Sequence, residues 1–130
     1  MASLRLTFAM VTTIVVACMY FPTTLAATGY VVGGANGWSM PQKPNHYENW
    51  TKGKRFIKGD AFFWVFKEGQ HFVVEVPSKE AYDACNTTAS TEVDDTGQLI
   101  RYLIDVKIHY YVCKYHCSKG MKVIIDIKAS

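Results

Sequence analysis

From Tyr30 onward the apolar residues of this 130-residue chain come in short runs, each cut by turn-forming residues. Tyr30-Val31-Val32 stops at Gly33-Gly34, and Arg55-Phe56-Ile57 stops at Lys58-Gly59-Asp60. Ala61 to Phe66 is a continuous apolar run of the kind a buried strand needs. Lys67-Glu68-Gly69-Gln70 turns the chain, and His71 to Val76 runs on to Pro77. Leu99 to Ile104, His109 to Cys113 and Val123 to Ile127 supply three more strands. Short strands at this spacing, with turn residues between them, build a sandwich or a barrel. Ser78-Lys79-Glu80-Ala81-Tyr82 reads differently, as one helical turn with Ser78 as N-cap and an acidic residue close behind. The polar stretch from Asn86 to Gly97 reads as loop. The expected class is therefore all-β, with one or two short helical turns.

The N-terminal segment is of another kind. Arg5 precedes an apolar run from Phe8 to Phe21, and the small residues Thr24-Leu25-Ala26-Ala27 follow, as at a signal-peptidase site. A membrane span needs roughly 20 apolar residues, so this run is short for an anchor. Residues 1–26 are read as a cleaved signal peptide and residues 27–130 as a single domain. Without Arg5 the chain holds 13 Lys and Arg against 11 Asp and Glu. The basic residues are scattered, apart from Lys52-Gly53-Lys54-Arg55 and Lys58. A nucleic-acid module shows a denser basic face, so these read as a solvated face with weak attraction for acidic wall polymers or an acidic redox partner. After Ile127 come only Lys128-Ala129-Ser130, from which no lipid anchor is expected.

Secretion changes the cysteine count. Cys18 leaves with the signal peptide, and Cys85, Cys113 and Cys117 remain. An odd number in an oxidising compartment means one pair and one thiol with another job, and three pairings are open. Secretion also makes the sequons Asn49-Trp50-Thr51 and Asn86-Thr87-Thr88 plausible glycan acceptors. Asn86 lies in the expected loop, whereas Trp50 is expected to pack and hinder Asn49.

The run Cys113-Lys-Tyr-His116-Cys117-Ser-Lys-Gly-Met121 sets a thiol, an imidazole and a thioether within nine residues, and His71 stands far upstream. Thiolate, two imidazoles and a weak thioether form the ligand set of a blue-copper electron-transfer site. Taken singly, His71 would be a hydrogen-bonded structural histidine and Met121 a core filler. It is the joint pattern that points to a metal. His109 is expected at the surface or in cross-strand packing, and His46 in a solvent-facing loop. A zinc site from His71, Cys113, His116 and Cys117 would consume the cysteine needed for a disulfide and ignore Met121.

Longer motifs carry a resemblance to a known family. Tyr30-Val-Val-Gly-Gly-x-x-Gly-Trp38, Trp50-x-x-Gly-Lys54-Arg55-Phe56-x-x-Gly59-Asp60, Tyr82-x-x-Cys85-Asn86 and Tyr111-Val-Cys113 with His116-Cys117-x-x-Gly-Met121-Lys122 resemble plant phytocyanins. Met121 and the lack of an anchor tail point to the plantacyanin, or basic blue protein, branch. The resemblance implies a cupredoxin-like Greek-key β-sandwich with one type 1 copper, held by His71, Cys113, His116 and Met121. It also implies a Cys85–Cys117 disulfide.

This chain departs from the family pattern at three places. Only Lys114 and Tyr115 separate Cys113 from His116, where phytocyanins usually have four residues, although plastocyanin, another cupredoxin, has the shorter spacing. Phe72 stands where asparagine commonly follows the first histidine and braces the ligand loops through its amide. Lys107-Ile108-His109 replaces a glycine-containing turn, which predicts a reshaped hairpin. The function expected is that of a secreted one-electron carrier and not an enzyme, monomeric, meeting a small redox partner or a cell-wall component in the apoplast or wall. The alternative is a copper-poor structural or signalling protein of the wall.

Overall fold

The computed structural model describes residues 27–130. The expected signal peptide, with Arg5 and Cys18, lies outside the described residues. In chain order the elements are β1 (Gly29–Val31), α1 (His46–Thr51), β2 (Phe56–Ile57), β3 (Ala61–Val65), β4 (Val73–Val76), α2 (Lys79–Asp83), β5 (Thr91–Asp94), β6 (Gln98–Tyr102), β7 (Ile108–Val112) and β8 (Lys122–Lys128). Single 3-10 turns occupy Gly34–Asn36 and Cys117–Lys119. No helix among the described residues is long and apolar enough to cross a membrane.

The strands form two sheets, ordered β1-β3-β6 and β2-β8-β7-β4-β5. The β1/β3 and β2/β8 pairs are parallel and the rest antiparallel. This is the expected all-β sandwich with short helical turns. Alternation decides which side chains enter it. Phe62 and Trp64 of β3 are fully buried, as are Val123, Ile125 and Ile127 of β8, within 1% exposure. Between the sheets runs a chain of rings, Trp50–Phe56, Phe56–Phe62, Phe62–Trp64 and Trp64–Tyr111, with centroids 4.8 to 6.4 Å apart. Burying each such ring stabilises by about 2 kcal/mol or more.

The five-stranded sheet is covered on its outer face as well. Val74, Val76 and Val112 form a second cluster there with Cys117, under Ala81 and Tyr82 of α2 and Cys85. A sheet buried on both faces explains why His71 to Val76 is apolar at nearly every position. Ser78 caps α2 as the sequence predicts, its Oγ accepting from the Ala81 N–H at 3.1 Å. Gly59-Asp60 makes the expected turn. The Asp60 carboxylate, 1% exposed, accepts from the N–H groups of Thr28 and Ile57 at 3.0 and 2.9 Å and so ties β1 to β2.

Three sequence expectations change and a fourth is narrowed. Residues 91–94, read as loop, form β5 at the edge of the larger sheet, paired to β4. His46 is no loop residue: it opens α1, is half-buried, and its Nε2 lies 3.2 Å from the Gly33 carbonyl. Of the two places expected for His109, the structure shows cross-strand packing, from β7 to Glu75 of β4, and not the surface. His109 is 4% exposed, with Nδ1 at 2.8 Å from Glu75 Oε1 and Nε2 at 3.0 Å from the Asp105 carbonyl. The reshaped hairpin expected before Cys113 is not a hairpin, because the 103–107 link carries the chain from β6 in one sheet to β7 in the other and brings the Asp105 carbonyl to the ring.

Burial pulls the His109 pKa down, but bonding to Glu75 and Asp105 outweighs it and holds the imidazole above its ordinary 6.5. The hydrogen bond from His109 holds the Glu75 carboxyl below its usual 4.5, against its own partial burial. The His109 contribution is therefore complete below pH 6.5 and lost as pH rises through the raised value. That of Glu75 is complete above pH 4.5 and lost as pH falls through the lowered one. Chemical denaturation should show greatest stability between those limits, falling on the alkaline side. Glu75→Gln should flatten this slope at a cost of about 1 kcal/mol, since Glu75 is a third exposed and screened. An unchanged slope would show that the pair does not govern it.

Candidate metal centre

At one end of the sandwich three segments converge. β7 carries Cys113 just past its last residue, and the Cys113 N–H still donates to the Met121 carbonyl at 2.9 Å, extending the ladder toward β8. His71 stands two residues before β4, and His116 lies on the loop after Cys113. Both anchor points belong to neighbouring strands of one sheet, β4 and β7. The cluster is thus held by the scaffold.

The donor atoms face one another. His71 Nδ1 and His116 Nδ1 are 3.2 Å apart, and Cys113 Sγ lies 3.9 and 3.8 Å from them. Cys113 is fully buried and is the free cysteine among the described residues, while both imidazoles are half-buried. Burial, and secondly the neighbouring His116, hold the His71 imidazole below its ordinary pKa of 6.5, which favours the neutral ring a metal requires. All three ligand atoms lie within 4.8 Å of one another, close enough to hold one metal ion. Among the described residues this is the group of three or more such side chains with that property.

The short Cys113–His116 spacing does not break the cluster. The loop closes on itself: Cys117 N–H donates to the Cys113 carbonyl at 3.0 Å, and Met121 N–H to the His116 carbonyl at 3.2 Å. Gly120 makes the return at φ +92, and a Cβ there would stand 2.8 Å from the Pro44 carbonyl oxygen. Met121 is fully buried and packs in the same core cluster as Cys113. The expected disulfide joins Cys85 to Cys117, directly after His116, so α2's end clamps the loop. The sequons are both accessible: Asn86 is exposed, and so is Asn49 on α1, contrary to the hindrance expected from Trp50.

Two residues bracing the site were not singled out as such from the sequence. Trp38, 1% exposed, donates its indole N–H to the Phe72 carbonyl at 3.0 Å and so fixes the backbone beside His71. The Phe72 ring, which offers no amide, meets Tyr115 edge-on at 5.2 Å between centroids. An aromatic contact thus links the His71 segment to the ligand loop where a hydrogen bond was expected to be missing. The clue to Trp38 was its burial-prone indole after Gly37, which must find an acceptor when packed. Trp38→Phe should cost about 1 kcal/mol through the orphaned carbonyl. It should also broaden the His71 ring resonances in NMR spectra of the metal-free protein, and unchanged spectra would remove the bracing role.

Such a sandwich, with a buried thiol and two imidazoles gathered at one end, has the make-up of the cupredoxin class. Residues 38–121 match the family model described as a plastocyanin-like domain. Cucumber peeling cupredoxin of Cucumis sativus is 37% identical over 107 residues, covering 80% of this chain and 78% of that protein. Basic blue protein of Cucumis sativus is 33% identical over 99 residues, covering 75% and 96%. A solved cucumber stellacyanin with Cu2+ superposes at a TM-score of 0.76, with 37% identity, covering 82% of this chain and 99% of that one. The chain belongs to the plastocyanin-like family, and within it to the phytocyanins.

Proposed function

We propose that this chain is a secreted one-electron carrier built on a type 1 copper site, with His71, Cys113 and His116 as the strong ligands and Met121 as a weak fourth. One observation carries the reading: Cys113 is unpaired and buried against two imidazole nitrogens while the other two described cysteines bond each other. The donor set fits copper, since a soft thiolate with two imidazoles suits both of its oxidation states. Bound there, copper would supply reversible Cu(II)/Cu(I) exchange. Cys113 and His71, each beside a strand of one sheet, resist displacement and so keep reorganisation small. Met121, pinned by two backbone hydrogen bonds, would tune the potential more than it strengthens binding. His116, half-buried like His71, is flanked by exposed Tyr115, and its ring edge is where a partner makes contact.

A carrier of this kind transforms no substrate, so the protein is not read as an enzyme. The rest of the proposal concerns its setting: cleavage after Ala26, glycans on Asn86 and Asn49, and a monomer in the apoplast or wall. Its partner there is a small redox protein or a wall component. The relatives support this reading, since one solved neighbour is described as a blue copper protein. Titration with one equivalent of Cu(II) tests it, with the visible spectrum as readout. An intense thiolate-to-copper band at the red end is expected. A colourless protein with one free thiol per mature chain would falsify the carrier reading and leave a copper-poor wall protein in its place.

A further inference from the structure

On the face of β8 turned away from the core, Lys122, Ile124 and Asp126 floor an open groove of about 720 Å³. Glu48 and Thr51 of α1 line it, with Lys79, Tyr82 and Asp83 of α2. None of His71, Cys113, His116 or Met121 lines it, so it is separate from the metal centre.

Its charges are mixed and unequal. Five cationic side chains line it, Lys54, Arg55, Lys79, Lys122 and Lys128, against three carboxylates, Glu48, Asp83 and Asp126. Two cations are matched, since Lys79 pairs with Asp83 and Lys128 with Asp126, each at 2.9 Å. Lys54 and Lys122 instead rest on neutral carbonyls, those of Trp50 at 2.5 Å and Tyr82 at 3.1 Å. Each ammonium has three donors and spends one on its carbonyl. Arg55 differs, because it donates to the Ser130 oxygen, which at the end of this chain belongs to a carboxylate. Lys54 and Lys122 thus bring to the groove cationic donors beyond those their carbonyls take up.

The apolar part of the lining narrows the ligand class. Tyr82 is half-buried with the Lys122 ammonium 4.4 Å from its ring centre, and Ile124 lies on the groove floor. The aliphatic surface of Ile124 and the rim of Tyr82, beside cations with donors to spare, suit a molecule with flat C–H faces and a carboxylate per unit. We propose that this groove binds an acidic oligosaccharide, a short chain of uronic acid residues. Its carboxylates meet Lys54 and Lys122, its hydroxyls donate to Glu48 and Asp126, and one ring packs on Ile124 beside Tyr82.

The test is NMR titration of the disulfide-intact protein with a short oligogalacturonate at low salt. Amide shifts should concentrate at Thr51, Tyr82 and Ile124 and weaken as salt rises. The same oligosaccharide with its carboxyls reduced to alcohols should not bind. Lys54→Gln and Lys122→Gln should each weaken binding, and together by about tenfold or more, with circular dichroism showing both folded. Absence of binding, equal binding of the neutral sugar, or shifts confined to the His71–His116 end would overturn the proposal. So would polyglutamate binding as tightly at the same residues, which would reduce the groove to general charge attraction.

Discussion

Cys113→Ser should yield a folded protein that gives no intense visible absorption with Cu(II). The thiolate is the donor whose charge transfer to copper gives the band, and an alcohol oxygen neither ionises near neutral pH nor matches sulfur's softness. The position makes the change informative. Sγ is fully buried, so serine meets no water, but two imidazole nitrogens within 3.9 Å give its hydroxyl acceptors. The cost to the metal-free fold should therefore stay near 1 kcal/mol, within the ordinary range for a point change. Stabilisation by copper should fall much further. A ligand at 100 times its dissociation constant raises stability by about 2.7 kcal/mol, and the variant should lose most of that gain in thermal melts with and without the metal. A variant that kept both the colour and the gain would move the site away from Cys113.

How far the sequence spoke for the fold depended on what holds each element. Strands β3, β7 and β8 are stated by their own apolar runs, because one or both faces are buried and the side chains record it. Helix α1 left no such record. It has no side-chain cap at Asn45, and its one buried residue is Tyr47, which packs on Trp38 at 4.9 Å and gives its hydroxyl to the Ser39 carbonyl at 2.6 Å. Tertiary contact, not local propensity, forms it. β5 was equally silent, since an edge strand with polar residues pairs through its backbone. His109 was left between the surface and cross-strand packing for a related reason: its burial depends on Glu75, 34 residues away, and on the Asp105 carbonyl. The metal centre was more legible than the fold around it. Its donors were marked by residue type and by the odd cysteine, and a loop of two intervening residues proved closable because the Cys117 N–H reaches back to Cys113. The bracing by Trp38 and by the Phe72–Tyr115 contact was not, because it depends on which carbonyl and which ring come near in space.

Replacing both disulfide cysteines, as Cys85→Ala with Cys117→Ala, should produce the largest loss of stability. The bond spans 32 residues, from the end of α2 to the ligand loop. Closing a loop of that size restricts the unfolded chain by about 4 kcal/mol in the chain-entropy model. Cys117 is also 3% exposed and packs with Val74, Val76 and Val112, so the truncation removes sulfur from a filled cluster. For a domain of about 100 residues, a loss of 4 kcal/mol is a large share of the total, and the midpoint of thermal unfolding should fall by 15 °C or more, roughly. The metal-binding consequence follows from sequence adjacency. Cys117 is the residue after His116, and its N–H closes the loop onto Cys113. Without the clamp the imidazole gains freedom that binding must remove, so copper affinity should drop while the colour of the bound form persists. Guanidinium denaturation of the metal-free variant and a copper competition titration measure the two effects separately. A variant that lost stability but bound copper as tightly as before would show that the backbone turn alone, through Gly120 and the Cys113–Cys117 hydrogen bond, positions His116.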